Sequence, residues 1–408
     1  MSGRAAFQFP NYRRYLLARS FVTIASEMQA LAVGWQLYSL THRALDLGLV
    51  GLAQFLPGFL LFLVSGQAAD RYPRQRILQT CYLSFAAISA LLLALSVRGL
   101  HSVLPVYGAL LLNGVVRAFN TPASQAFLPL VVPKEVFPSA LALSSGAFQG
   151  SQIVGPMIGG AIYALTGSAA PVYAAAVATS LCAFVMMSQI QVAAVQRAKT
   201  VVNAHVLLEG IRYLWRAKLT FGAVSLDMFA VLLGGAVALL PVYARDILKV
   251  GAQGMGLLRG APGTGAVIMA VILAHHPLKK HAGAVMLWCV AGFGALTIVF
   301  GLSRNLFLSL GALVLMGACD MVSVVVRHSL VQLNTPDDMR GRVSAVNSMF
   351  IGASNEVGQF ESGLTAAWFG AVPAVILGGL GTLLIVGVWS RLFPELRRVD
   401  ELQPARQV

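Results

Sequence analysis

The chain reads as long apolar stretches of Leu, Ala, Gly and Val, separated by short polar segments rich in arginine. The first six stretches fall at about 16–40, 47–69, 77–97, 103–125, 138–165 and 171–190. After a polar connector come six more, at about 219–243, 252–274, 281–302, 306–328, 342–368 and 371–393. A helix needs about 20 apolar residues to cross the hydrocarbon core of a bilayer, and each stretch supplies roughly that length. None alternates apolar and polar positions as the strands of an outer-membrane barrel do. The pattern predicts an all-α integral membrane protein with twelve transmembrane helices. Pro57, Pro156, Pro241 and Pro262 fall inside spans and mark expected kinks, since neighbouring helices can satisfy the freed backbone groups.

Composition narrows the function classes. Of 408 residues, 57% are hydrophobic and only 11% are charged, against about 25% charged in soluble domains. That excludes a water-soluble enzyme and a disordered chain. The net charge of +14 is not the footprint of a nucleic-acid binder, because the polar surface that would carry it is missing. Sorted by loop, the basic residues fall mostly on one side. That side holds Arg4, Arg13, Arg14 and Arg19, the Arg71–Arg76 cluster, Lys134, the connector, Lys279 and Lys280, Arg340 and Arg342, and the C-terminal arginines. The other side has Arg43, Arg98, Arg245, Lys249 and Arg304. By the positive-inside rule both termini are cytoplasmic and the number of spans is even. No cleavable signal peptide is expected. Cys81, Cys182, Cys289 and Cys319 lie in spans and read as small apolar fillers.

A shift of 203 residues lays one half of the chain over the other. Gly48, Gly51, Gly108, Gly114, Gly155, Gly160 and Gly167 then fall on Gly251, Gly254, Gly311, Gly317, Gly358, Gly363 and Gly370. Six spans per half is an even number, so the halves share one orientation. Two parallel six-helix repeats are the architecture of the Major Facilitator transporters. The expected organisation is an N-terminal six-helix bundle over 1–190 and a cytoplasmic connector over 191–218. A C-terminal six-helix bundle over 219–408 completes it. Val206 to Leu219 in the connector reads as an amphipathic helix.

Local motifs carry the likeness further. Gly66-Gln-Ala-Ala-Asp70-Arg71-Tyr-Pro73-Arg74-Gln75-Arg76 resembles the Major Facilitator signature between the second and third spans, with Pro73 and Gln75 departing from the usual glycine and basic residue. In that reading Asp70 and the arginines Arg71, Arg74 and Arg76 form a cytoplasmic gate, a latch across the seam between halves. Arginines that merely hold topology are the simpler alternative. The matching loop, Ala274 to His281, lacks the acid. In the fifth span Gly146, Gly150, Gly155, Pro156, Gly159 and Gly160 resemble the antiporter and exporter motif. Such small residues seal a seam, form a pivot, or simply pack tightly. Four further stretches resemble the enterobactin-exporter and drug:proton antiporter branch of the superfamily. They are Met28-Gln29 to Trp35-Gln36, Thr121-Pro122 to Pro133, Glu209-Gly210-Ile-Arg212-Tyr213 and Thr335-Pro336 to Val343.

Ionisable side chains inside spans cost about 2.5–3.5 kcal/mol each on insertion scales, which makes them functional candidates. The acids are Glu27, Asp227, Asp320, Glu356 and Glu361; the bases are Arg117, Arg259 and Arg327. The repeat maps Arg117 onto Asp320. Glu27, midway along the first span, is the expected coupling acid, with a proton competing against Arg117 or a substrate cation for its carboxylate. A structural ion pair is the alternative reading. Asn113 with Arg117, and Asn355 with Gln359, lie one turn apart and are expected to line a cavity. Asp320 and Arg327, seven apart, share a face and are expected to neutralise each other. Glu356 and Glu361 are expected to face different sites. His275, His276 and His281 read as a solvated basic loop without a carboxylate nearby, so no metal site is expected. Without a phosphate loop or a nucleophile–base constellation, the chain is expected to have no cofactor and no enzymatic activity.

These residues together predict a secondary active transporter of the bacterial inner membrane. It would work as a monomer in the lipid bilayer, bind no nucleic acid, and exchange protons for a small amphipathic molecule such as a siderophore or drug by alternating access. A proton-linked importer of a nutrient or metal chelate, and a non-transporting sensor or scaffold, are the alternatives.

Overall fold

A computed structural model describes residues 5–100, 102–191, 204–278 and 280–400. All regular structure among the described residues is helical. In chain order the first half forms α1 (Pro10–Thr41), α2 (Ala44–Leu60), α3 (Phe62–Arg71), α4 (Arg74–Val97), α5 (Leu104–Phe127), α6 (Phe137–Thr166) and α7 (Ala170–Ser188). Then follow α8 (Ala204–Arg216), α9 (Lys218–Leu233), the one-turn α10 (Leu240–Val242), α11 (Gly251–His275), α12 (Ala282–Leu302), α13 (Leu306–Asn334), α14 (Asp337–Phe369), α15 (Ala371–Leu392) and a short α16 (Pro394–Arg397). Every apolar stretch read from the sequence lies on one of these helices or on a broken one. Among the described residues eight helical segments are long and apolar enough to cross a membrane, Lys218–Ile247 counted as one, and α2 with α3 makes a ninth, bent span. The shortfall from twelve lies in α5, α6 and α14, which are long enough but carry Arg117, several serines, and Glu356 with Glu361.

The seventh stretch, expected to kink at Pro241, breaks earlier, at Leu233. A Cβ on Gly235 would meet the Gly358 carbonyl oxygen at 2.7 Å and Ser362 Oγ at 2.6 Å. The Gly234-Gly235 doublet therefore lets α14 pass close to the backbone and ends the helix there. A 3₁₀ turn (Ala236–Leu239), α10 and a π-helical turn (Tyr243–Ile247) carry the chain onward.

The helices gather into two compact units. The described residues of Met1–Thr41, Ala53–Val202 and Gly251–Gly260 form the first; those of His42–Leu52, Asn203–Val250 and Ala261–Val408 form the second. Each unit thus includes a short segment from the opposite half of the sequence. In the first unit α1 packs on α6 and α7, and α4 on α5 and α7. Tyr12, Tyr15, Tyr82 and Phe127 fill its core. The buried phenols are satisfied: Tyr12 donates to the Ala140 carbonyl and Tyr15 to that of Ser124, both at 2.9 Å. In the second unit α12 packs on α13 and α15, and α9 on α14 and α15, around Leu226, Met286, Val290, Val326 and Leu330. Lipid is as apolar as these side chains, so the close fit of small residues and internal hydrogen bonds hold such helices together.

Candidate functional site

In the first unit the sequence-predicted acid and the glycine motif come together. Glu27 projects from α1 onto α6, where a Cβ on Gly155 would lie 2.7 Å from the Glu27 Cβ and 3.1 Å from the Ile24 carbonyl oxygen. One turn on, Gly159 faces the Met28 Cα at 3.1 Å. The opposite flank of α6 meets the 251–260 segment of α11. Gly160 faces the Ala252 carbonyl oxygen at 2.7 Å, and Gly256 faces that of Pro156 at 2.7 Å. These approaches bring Arg259, three residues past Gly256, to Glu27: its Nη2 and Nε donate to Glu27 Oε2 at 3.3 and 3.4 Å. The side chains of Glu27 and Arg259 keep 22% and 26% of their surface accessible. Gly146 and Gly150 have no neighbour within 4 Å of an added Cβ, so the close-packing part of the motif is Gly155, Gly159 and Gly160.

The partner of Glu27 is thus Arg259 and not the Arg117 expected from sequence. Arg117 Nη1 donates to Gln54 Oε1 at 2.9 Å, on a contact made possible by Gly114, whose added Cβ would meet the Gln54 carbonyl oxygen at 2.5 Å. Asn113 is buried and Arg117 exposed, so the two do not share one environment. Gln29 and Gln36 of the family-like opening motif are bound internally. Ser89 Oγ donates to Gln29 Oε1 at 2.6 Å, Tyr173 donates to Gln36 Oε1 at 2.9 Å, and Gln36 donates to Ser96 Oγ at 3.1 Å. Satisfied in this way, they dock α1 on α4 and α7.

In the second unit a buried arginine decides the arrangement. Arg327 of α13 forms an ion pair with Asp227 of α9 and not, as expected, with Asp320 on its own helix. Asp227 and Asp320 line a common small cavity with Ser323. The 42–52 segment of α2 lies on α14 in the same unit: Gly48 faces the Gly363 Cα at 3.0 Å, and Gly51 faces the Glu356 carbonyl oxygen at 2.9 Å and the Gln359 Cβ at 2.8 Å. Gln359 Nε2 donates to Glu356 Oε2 at 3.3 Å. Asn355 is exposed and donates to the Ile351 carbonyl of its own helix. Glu361 accepts from Thr365 at 2.7 Å, away from the groups that hold Glu356.

The loop signature caps helix ends. Asp70 faces Arg74 at 4.0 Å. Arg74 donates to the carbonyls of Ala69 and Ala126, and Gln75 to those of Met187 and Ile190. Last-turn carbonyls have no partner within their helix, so Arg74 closes the end of α5 and Gln75 that of α7. Gly66 has open space around it, and Arg71 and Arg76 are exposed. Two family-like stretches distant in sequence meet in the second unit. Arg342 pairs with Glu209, Gly210 packs on the Arg342 carbonyl, and Tyr213 donates to the Asn334 carbonyl at 2.9 Å. Among the three loop histidines, His281 does have a carboxylate beside it: its backbone N–H donates to Asp400 Oδ1 at 2.9 Å.

Comparison with known proteins gives a consistent result. A family model described as transmembrane secretion effector matches residues 1–407. The enterobactin exporter EntS of Shigella boydii serotype 4 (strain Sb227) is 28% identical over 403 residues, covering 97% of this chain and 94% of the relative. The same exporter of Escherichia coli O1:K1 / APEC is 27% identical over the same shares. Among solved structures, a point mutant of the nucleoside transporter NupG aligns with a TM-score of 0.73 at 10% identity, over 94% of this chain and 100% of that one. A bacterial homolog of the human lysosomal transporter Spinster aligns with a TM-score of 0.72 at 12% identity, over 95% and 98%. At these identities the structural likenesses establish the fold, which is the expected one.

Proposed function

Because the chain belongs to the transmembrane secretion effector family of Major Facilitator transporters, we propose that it is a proton-coupled exporter of a small amphipathic molecule. Membership makes it a multi-pass membrane transporter and not an enzyme. The observation that carries the finer reading is the Glu27–Arg259 pair, seated against Gly155 and still partly accessible. A guanidinium keeps its proton throughout, so this reading assigns the exchanged proton to the Glu27 carboxylate. A proton on Glu27 removes the attraction that holds Arg259, and a cationic or hydrogen-bonding cargo competes for the same carboxylate. Proton and cargo then exclude each other at one side chain, which is the requirement for antiport. The relatives named as enterobactin exporters support a siderophore as cargo.

The exporter works by alternating access between bundles over 1–190 and 219–408, with 191–218 as connector. Gly66, Asp70, Arg71, Arg74 and Arg76 form its cytoplasmic gate. It is a monomer of the bacterial inner membrane with both termini in the cytoplasm. Asn113, Arg117, Asn355, Glu356 and Gln359 contribute to the cargo path. The reading is tested in everted membrane vesicles, with a fluorescent cationic dye and a triscatecholate siderophore as cargo probes. Uphill transport is expected only under an imposed proton gradient, and Glu27→Gln is expected to abolish it. Gradient-driven transport that persists unchanged in that variant would remove Glu27 from the mechanism. Gradient-driven accumulation in intact cells would reverse the direction.

A further inference from the structure

The second unit holds a small, largely apolar pocket, with two carboxylates at its edge, that Glu27 does not touch. Asp227, Asp320 and Ser323 line its polar side, and Val231, Val290 and Phe293 close it. Its volume is about 10 Å³, room for about one water molecule. Asp320, Ser323 and Arg327 stand at helical spacing on one face of α13. Ser323 lines this pocket and is only 2% exposed, and its buried hydroxyl has no hydrogen-bond partner within the protein. An unmet buried hydroxyl costs about 1–3 kcal/mol, which points to a ligand able to satisfy it.

Charge identifies that ligand. With every group ionised the cluster holds two carboxylates and one guanidinium, the latter committed to Asp227. An uncompensated negative charge remains on the half-buried Asp320, and a carboxylate inside a membrane span is costly unless a proton or a cation neutralises it. A hard cation takes about six or more oxygen ligands. The side chains lining the pocket offer at most the two oxygens of Asp320, one of Asp227 and the Ser323 hydroxyl. Among the described residues no group of three or more His, Cys, Asp or Glu is placed to hold a metal. The other titratable groups facing the site are Cys319 on α13 and Cys289 of α12, which meets Cys319. Neither supplies a positive charge.

We propose that Asp320 is a second proton-binding residue, its protonated carboxyl bridged to Ser323 and Asp227 by one water. Uptake takes one proton from solvent hydronium and leaves water, with no other bond made or broken. The site lies in the other unit from Glu27 and goes beyond the exporter reading.

The test uses the full-length chain in lipid nanodiscs, titrated between neutral and acid pH by infrared difference spectroscopy, with bound protons counted by an indicator dye. Asp320→Asn is expected to lose a protonated-carboxyl band and to bind one proton fewer per chain. Ser323→Ala is expected to keep the proton count but shift that band, because its hydrogen-bond partner is gone. Added sodium ion is expected to change neither. An unchanged band and count in Asp320→Asn would overturn the proposal, as would sodium displacing the proton one for one. If Asp320→Asn fails to fold, an unshifted band in Ser323→Ala overturns it as well. The readout is protons bound and not cargo moved, and it can be repeated in Glu27→Gln. Its failure is therefore distinct from failure of the exporter reading.

Discussion

Glu27 of α1 and Asp227 of α9 stand on helices that the 203-residue repeat superposes, where Asp227 falls on Ile24, one turn from Glu27. The glycine packing is duplicated: Gly155 lies against Ile24 and Glu27, and its equivalent Gly358 lies against the carbonyls of Val231 and Leu232. The charges are not duplicated. Asp227 and Arg327 are sealed, with 8% and 3% of their side chains accessible. Glu27 and Arg259 keep about a quarter. A repeated scaffold has therefore been given one ion pair that holds and one that can be reached. Removing one partner of a sealed pair leaves a naked buried charge, whereas an accessible pair contributes little to stability and is free to exchange partners.

That contrast can be broken by measuring stability in detergent. Arg327→Ala is expected to lower the unfolding free energy by about 3–5 kcal/mol, the largest effect in the set. A loss no greater than that of Glu27→Gln would erase the distinction between the pairs. Gly155→Val comes next. Its branched side chain is forced against the Glu27 Cβ and the Ile24 carbonyl, and overpacking of this kind costs about 1–3 kcal/mol. Transport should fall with it, because α1 is pushed away from Arg259. Glu27→Gln itself is expected to change stability by no more than about 1 kcal/mol, with gradient-driven transport lost. Gly150→Ala has open space around it and should be neutral or stabilising by about 0.4–1 kcal/mol. If it instead destabilised as Gly155→Val does, the division of the motif into packing and non-packing glycines would be wrong.

The helices were legible because lipid forces each span to satisfy its own backbone and to be largely apolar over its whole length. The break at Gly234-Gly235 was not, since it depends on how closely α14 passes. Sequence spacing put Asp320 and Arg327 on one face of α13, which the shared helix preserves. It gave no sign that Asp227, from another helix, would take the arginine. Glu27 and the glycine motif stood out as an intramembrane acid and a small-residue run. Arg259 stood out too, as an intramembrane base, but nothing in spacing links residue 27 to residue 259. That link exists because the 251–260 segment of α11 belongs to the first unit. Gln75, a departure from the family pattern, proves to close the end of α7, a role readable only once α4 and α7 are side by side.

The central claim is that Glu27 couples cargo movement to protons without itself being needed to hold the fold. Proteoliposomes containing the purified chain separate the two roles, because cargo exchange across the membrane at equal pH needs a working path but no coupling. Glu27→Gln is expected to retain exchange of the cationic dye, with a weakened apparent affinity, and to lose all uphill transport driven by a proton gradient. Uphill transport that persists in Glu27→Gln at the wild-type rate would contradict the account.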